Sequence, residues 1–201
     1  MSDKLKAILD IEWEMFSTTQ NEGGKASCQE DREQFALMRT AQFTVWDENS
    51  LESYLEDLKS AEASGRNLIA EKYAYMMEST APEEYERIRY LLPPVTAEKE
   101  ALVASLVRQT VEWAEEFQRK YPKLASLGRP IHRSCDSPWL TSAETYHRGE
   151  LLTYGERTLR LLDKLYRENA AQGSNLYEAV IEETVLLTGY KSLEEAENSI
   201  N

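Results

Sequence analysis

The sequence predicts an all-α protein: a single domain over residues 1–201, folded as a bundle of about seven to nine helices with one long irregular loop at about 123–140. Apolar residues recur at intervals of three and four along almost the whole chain. Helix-start signatures, a Ser, Thr or Asn followed three residues later by Glu, occur repeatedly. No stretch alternates apolar and polar residues for long enough to indicate a strand.

Five helices are predicted in the first half of the chain. The first has an apolar face made of Leu5, Ile8, Leu9, Met15 and Phe16. Capping boxes open the second helix at Ser27 and the third at Asn49. The expected bounds of helices two to five are Ser27 to about Trp46, Asn49 to Gly65, 66–79, and Thr80 to Pro93.

Four further helices are predicted in the second half. Their expected bounds are Thr96 to Pro122, Thr141 to as far as Gly173 with possible breaks at Gly149 and Gly155, 176–187, and a short turn from Ser192. The segment 123–140 between the sixth and seventh helices shows no periodicity. Long irregular loops in compact domains are often functional, so this segment is a candidate site region.

Composition and charge exclude several classes of protein. With 41% hydrophobic and 29% charged residues, the chain is typical of a globular protein and not of a disordered one. Its net charge of −13 repels phosphate backbones, so neither nucleic acid nor an anionic membrane surface is an expected partner. No apolar run approaches a membrane span of about 20 residues.

The expected compartment follows from the cysteines and the first residues. Cys28 and Cys135 are too few for a disulfide framework, which favours a reducing environment. The start MSDKLKAILD has no long apolar segment, so no signal peptide is expected. The sequence therefore predicts a cytoplasmic protein.

One stripe of the second predicted helix carries polar residues on the face that should be buried. Spacings of 4, 3, 4, 3 and 4 align Cys28, Arg32, Phe35, Arg39, Gln42 and Trp46. Arginine presents a planar fork of donors that suits a carboxylate or a phosphate. Arg32 and Arg39 would thus hold a small anionic metabolite, which Gln42 would orient, in a pocket between helices.

Glu12 supports two interpretations of that stripe. It lies in the middle of the apolar face of the first helix, where a charge is costly unless it is paired or used. It could act as an acid or base whose pKa is raised by burial. Alternatively, Glu12 and Arg39 could form an internal ion pair that only fixes how the helices pack.

Further candidate site residues flank the stripe. Glu144 and Arg148 are an i,i+4 pair on the seventh helix, with Glu144 a second candidate acid or base and Arg148 a ligand contact. Cys28, in the first turn of its predicted helix, is a candidate nucleophile with His132 as its base. No metal site is predicted, because the chain lacks paired ligand motifs, and no cofactor is identified.

Several segments carry a resemblance to a known family. They include NEGGKASCQ (21–29), QFALMRTAQF (34–43), GRPIH (128–132) and YHRGELLTYGE (146–156). The chain resembles the uncharacterised bacterial proteins of the domain of unknown function DUF4125 from about residue 11 to 195. The resemblance implies one domain and no particular activity. Its most specific segment contains Asn21, Gly23 and Gly24, a loop that would close one side of the pocket.

Two functional hypotheses follow. The first is an enzyme or binding protein for a small anionic metabolite, held by Arg32, Arg39 and Gln42. The second is a non-catalytic protein-interaction module in which the arginines form structural ion pairs. An exposed apolar groove would support the second hypothesis, and Trp46, Trp139 and Tyr146 are the candidates for it.

Overall fold

The computed structural model of the protein describes residues 2–20, 24 and 26–200, and these residues form an all-α fold. The predicted fold class is confirmed, but the predicted number of helices is too low. The described residues contain eleven α-helices: α1 Asp3–Thr18, α2 Arg32–Thr44, α3 Glu48–Ala63, α4 Leu68–Thr80, α5 Pro82–Ile88, α6 Ala97–Lys120, α7 Pro122–Ser126, α8 Ala143–Leu151, α9 Glu156–Ala171, α10 Leu176–Leu187 and α11 Leu193–Ser199.

The additional helices begin where the sequence favours a new start. Pro122 ends α6 as expected, but it is also the first residue of α7, a position that proline favours. The loop predicted at 123–140 is therefore observed at 127–142, and a 3₁₀ turn covers Arg133–Cys135 within it. The predicted seventh helix is divided into α8 and α9, and Gly155 is the N-cap of α9.

The second helix begins later than predicted. Ser27–Glu30 forms a separate 3₁₀ turn, and Asp31 caps α2 by accepting a hydrogen bond from the Gln34 amide at 2.9 Å. The Gln29 side chain ties this turn to the end of α1, donating to the carbonyls of Phe16 at 2.8 Å and Thr19 at 2.7 Å. Cys28 consequently lies outside α2, and the predicted stripe is interrupted before its first arginine.

The helices surround one main apolar core. Helix α1 packs on α3 and α4, α4 packs on α8, and α6 packs on α8 and α9. Helices α4 and α8 approach closely at Gly149, where a side chain would meet the Lys72 carbonyl and the Met76 side chain. This close contact brings polar residues of α4 and α8 beside those of α1 and α2. None of the described helices is both long and apolar enough to cross a membrane.

Candidate functional site

Four buried charged side chains meet at the centre of the bundle. Glu12 on α1, Arg39 on α2, Lys72 on α4 and Glu150 on α8 are each less than a tenth exposed. Arg39 forms a two-pronged pair with Glu12, its Nε lying 2.7 Å from Oε2 and its Nη2 contacting Oε1. Glu150 joins the other two charges, receiving Arg39 Nη1 at 2.9 Å and Lys72 Nζ at 2.7 Å. Two cations thus balance two carboxylates.

Neutral donors complete this network. The Tyr54 hydroxyl donates to Glu12 Oε1 at 2.6 Å, and the Tyr154 hydroxyl donates to Glu150 Oε1 at 2.7 Å. Gln42 accepts from Arg39 and donates to Glu150. Buried charges are tolerated when they are paired and their remaining hydrogen-bonding capacity is used, as it is here.

The network keeps its members in the charge states that the pairing requires. Burial alone would raise the pKa of Glu150, but Arg39 and Lys72 outweigh it and hold this pKa well below the ordinary value. Burial would likewise lower the pKa of Lys72, and Glu150 reverses that effect. Burial raises the pKa of the Tyr54 and Tyr154 hydroxyls well above normal, so both remain hydrogen-bond donors.

His147 lies beside the network without belonging to it. Its Nε2 is buried and has no hydrogen-bond partner among the described residues. The ring borders a small pocket lined in part by Val107, Val111 and Ile131. Burial, with a contribution from the Lys72 charge, lowers the pKa of His147 to about 4 against the opposing effect of Glu150, so the ring is neutral at pH 7.

A cavity of about 250 Å³ opens on one side of the network, between α1, α2, α4 and α8. Arg39 and Lys72 form part of its wall, whereas Glu12 and Glu150 do not line it. The lining residues are Phe16, Cys28, Asp31, Gln34, Phe35, Met38, Arg39, Ile69, Lys72, Tyr73, Arg129 and Tyr146.

Two of the cavity's cations lie against the same aromatic ring. Lys72 Nζ is 3.6 Å and Arg129 Cζ is 4.7 Å from the centroid of Tyr146. Arg129 also donates to the Thr141 carbonyl at 3.1 Å, and it forms no ion pair with a carboxylate in the described part of the chain. The guanidinium of Arg129 is therefore an exposed cation at the edge of the cavity.

The structure places only part of the predicted arginine stripe at this cavity. Arg39 and Cys28 line it. Arg32 points outward instead, with Nη2 2.5 Å from Asp10 Oδ1, because α2 begins at this residue and its first turn faces solvent. Gln42 and Glu12 lie behind Arg39 in the network, where the carboxylate of Glu12 is held by Arg39 and Tyr54.

The predicted pair of Glu144 and Arg148 does not form. Glu144 Oε2 accepts from the backbone amide of Arg133 at 2.7 Å, which turns its side chain towards the loop. Arg148 contacts Glu100 at 3.2 Å and also Glu78. None of these residues lines the cavity.

The remaining predicted residues are dispersed. His132 Nε2 lies 3.3 Å from Glu115, away from the cavity that Cys28 lines. Gly24 has a φ of +86°, and among the described residues no atom lies within 4 Å of the position that a Cβ would take. Asn21 and Gly23 lie outside the described residues. The described residues contain no group of three or more His, Cys, Asp or Glu side chains that could hold a metal ion, and both cysteines are free and exposed.

The chain matches the family described as protein of unknown function (DUF4125) over residues 3–198. It belongs to this family. All residues that line the cavity fall within the part of the chain that matches DUF4125. No curated protein and no solved structure matches the chain.

Sequence reasoning missed Lys72, Glu150, Tyr73 and Arg129, and it assigned Tyr146 to an exposed groove instead of this cavity. Lys72 could have been found by the signal that identified Glu12, because it lies four residues from both Leu68 and Met76 on the apolar face of α4. Glu150 lies directly before Leu151 near the buried end of α8. Arg129 lies in the aperiodic loop, where no spacing of apolar residues indicates which side chains face inward.

Proposed function

We propose that the protein binds a small organic anion in the cavity between α1, α2, α4 and α8. The observation that carries the proposal is a concentration of cationic side chains in the wall of the cavity. Arg39, Lys72 and Arg129 all line the cavity, Asp31 is the one acidic residue among the described residues that line it, and the whole chain has a net charge of −13. Such a concentration of cations within an acidic protein favours an anionic ligand.

The arrangement of the carboxylates supports this interpretation. Glu12 and Glu150 neutralise the buried cations from behind, so a ligand in the cavity meets Arg39 and Lys72 first. Lys72 Nζ has three donors and gives one of them to Glu150, which leaves donors for the side facing Tyr146 and the cavity.

The geometry favours ligand binding over catalysis by Cys28 and over a role as a protein-interaction module. Cys28 is the predicted nucleophile that lines the cavity, but its predicted base His132 lies beside Glu115. An exposed apolar groove formed by Trp46, Trp139 and Tyr146 would have supported an interaction module. Of these, Trp46 packs against Phe43 in the core and Tyr146 lines the cavity, while Trp139 is 94% exposed.

Small carboxylates and phosphate monoesters are expected to bind, and their neutral amide or alcohol analogues are not. Replacing Arg129 with alanine should weaken acid binding about tenfold or more, because a charge-assisted hydrogen bond contributes about 1.5–3 kcal/mol. Isothermal titration calorimetry measures the affinity, and the rise in melting temperature with ligand gives an independent readout.

Arg32→Ala is the matched control, since Arg32 is also exposed and its replacement removes the same charge outside the cavity. It should leave the affinity unchanged. The proposal fails if no acid binds, or if the two alanine variants weaken binding equally.

A further inference from the structure

We infer that the ligand of this cavity is a small aromatic acid, a single planar ring that carries a carboxylate or a phosphate. The inference rests on the proposed function, because it specifies the anion that the same cavity accepts. Its basis is the position of four aromatic side chains around the cavity, the volume of the cavity and the donors that surround Tyr146.

Aromatic side chains line the cavity from both of its sides. On one side, Phe16 of α1 and Phe35 of α2 are stacked, with centroids 5.2 Å apart and ring planes at 16°. On the other side are Tyr73 of α4 and Tyr146 of α8. Aromatic rings attract one another in offset or edge-on arrangements at centroid distances of about 4.5–7 Å. A planar ring bound among these four side chains would make aromatic contacts of this kind, which an aliphatic chain cannot make.

The volume is sufficient for a ligand of about one ring. An apolar protein cavity of about 150 Å³ holds benzene, and sites for drug-sized ligands usually begin at about 300 Å³. The volume of about 250 Å³ found here lies between these values. A benzene ring with one acidic substituent fits this range, whereas a dinucleotide cofactor exceeds it.

The acidic group would lie near Tyr146. Lys72 and Arg129 both contact this ring, and the hydroxyl of Tyr73 donates to no protein group among the described residues. Burial, reinforced by Tyr146, raises the pKa of Tyr73 to about 12, so its hydroxyl keeps its proton at pH 7. An ammonium, a guanidinium and a phenol, each able to donate hydrogen bonds to an anionic group, are thus found around Tyr146.

Calorimetric titration with four probe acids tests this inference. Benzoate and phenyl phosphate represent the two aromatic acids, and cyclohexanecarboxylate and hexanoate are aliphatic acids of similar size. At least one aromatic acid should bind about tenfold more tightly than both aliphatic acids. Its ring protons should also move upfield in the NMR spectrum on binding, because they lie over aromatic faces.

Phe35→Leu should remove most of this preference while leaving the affinity for cyclohexanecarboxylate unchanged. Tyr90→Leu is the control, since Tyr90 is 78% exposed and lies outside the cavity. Equal affinities for aromatic and aliphatic acids would overturn the inference and leave the proposed anion site intact. A preference that survives Phe35→Leu with no upfield shift would also overturn it. Failure of all four acids to bind would overturn both proposals.

Discussion

Replacing Glu150 with alanine is expected to lower the free energy of unfolding by about 3–5 kcal/mol, because removal of one partner leaves buried charges without compensation. Glu150 is 4% exposed and accepts hydrogen bonds from Arg39, Lys72 and Tyr154. Arg39 would keep Glu12, but Lys72 would lose its carboxylate partner. Chemical denaturation measures the change.

Glu56→Ala provides the matched control for Glu150→Ala. Glu56 makes an exposed ion pair with Arg157, and its loss should change stability by about 0.5 kcal/mol or less. Combining Glu150→Leu with Lys72→Met should cost less than the sum of the two single changes, because the double variant removes both charges of one buried pair. Equal losses for Glu150→Ala and Glu56→Ala would contradict the assigned role of the network.

Acidification is expected to destabilise the protein through His147 well before the carboxylates become protonated. In the unfolded chain the imidazole takes up a proton near pH 6.5, whereas the lowered pKa of about 4 keeps it neutral in the folded state. The unfolded state therefore binds more protons between these values, and stability falls as the pH falls. At 1.36 kcal/mol per unit, the loss approaches about 3 kcal/mol near pH 4 and grows no further below it.

His147→Leu should abolish this dependence, since leucine suits the apolar neighbours of the ring and carries no titrating group. Denaturation curves between pH 4.5 and 7.5 for wild type and variant would measure the difference. His132→Leu is the control, because it removes an exposed histidine instead. Parallel dependences for wild type and His147→Leu would show that the buried ring does not govern acid sensitivity.

Helical periodicity predicted the fold class and the inward position of Glu12. Because 3.6 residues make one turn, the side chains around Glu12 on α1 could be assigned to the buried face from their spacing alone. The structure finds Glu12 fully buried and paired with Arg39, which was the structural alternative for this pair. A polar residue at an inward helical position was thus an informative signal where the helix is regular.

Periodicity could not show where the second helix begins. Two pairs of residues could each mark the start of this helix: Ser27 with Glu30, and Asp31 with Gln34. In the structure Asp31 caps α2, and the Gln29 side chain holds the preceding 3₁₀ turn against the end of α1. With α2 starting at Arg32, the predicted stripe is divided and this arginine faces Asp10 on the surface. The error arose because a spacing argument assumes one uninterrupted helix.

The cavity itself depends on long-range packing. Lys72 and Glu150 are 78 residues apart in sequence, and their pairing follows from the contact of α4 with α8. Arg129 reaches the cavity from a loop, where no periodicity constrains its direction. Single-sequence reasoning can identify an inward charge, but it cannot identify the partner when the partner lies on a distant helix.

Selective protection of Cys28 would test the central claim, that the cavity is a ligand site, most directly. Cys28 lines the cavity and Cys135 does not, while both thiols are free and exposed. Alkylation by neutral iodoacetamide can be followed at each cysteine by mass spectrometry, with and without saturating benzoate or phenyl phosphate. Bound ligand should slow modification of Cys28 severalfold and leave the rate at Cys135 unchanged. Unchanged rates at both cysteines, or equal slowing of both, would contradict a ligand site in this cavity.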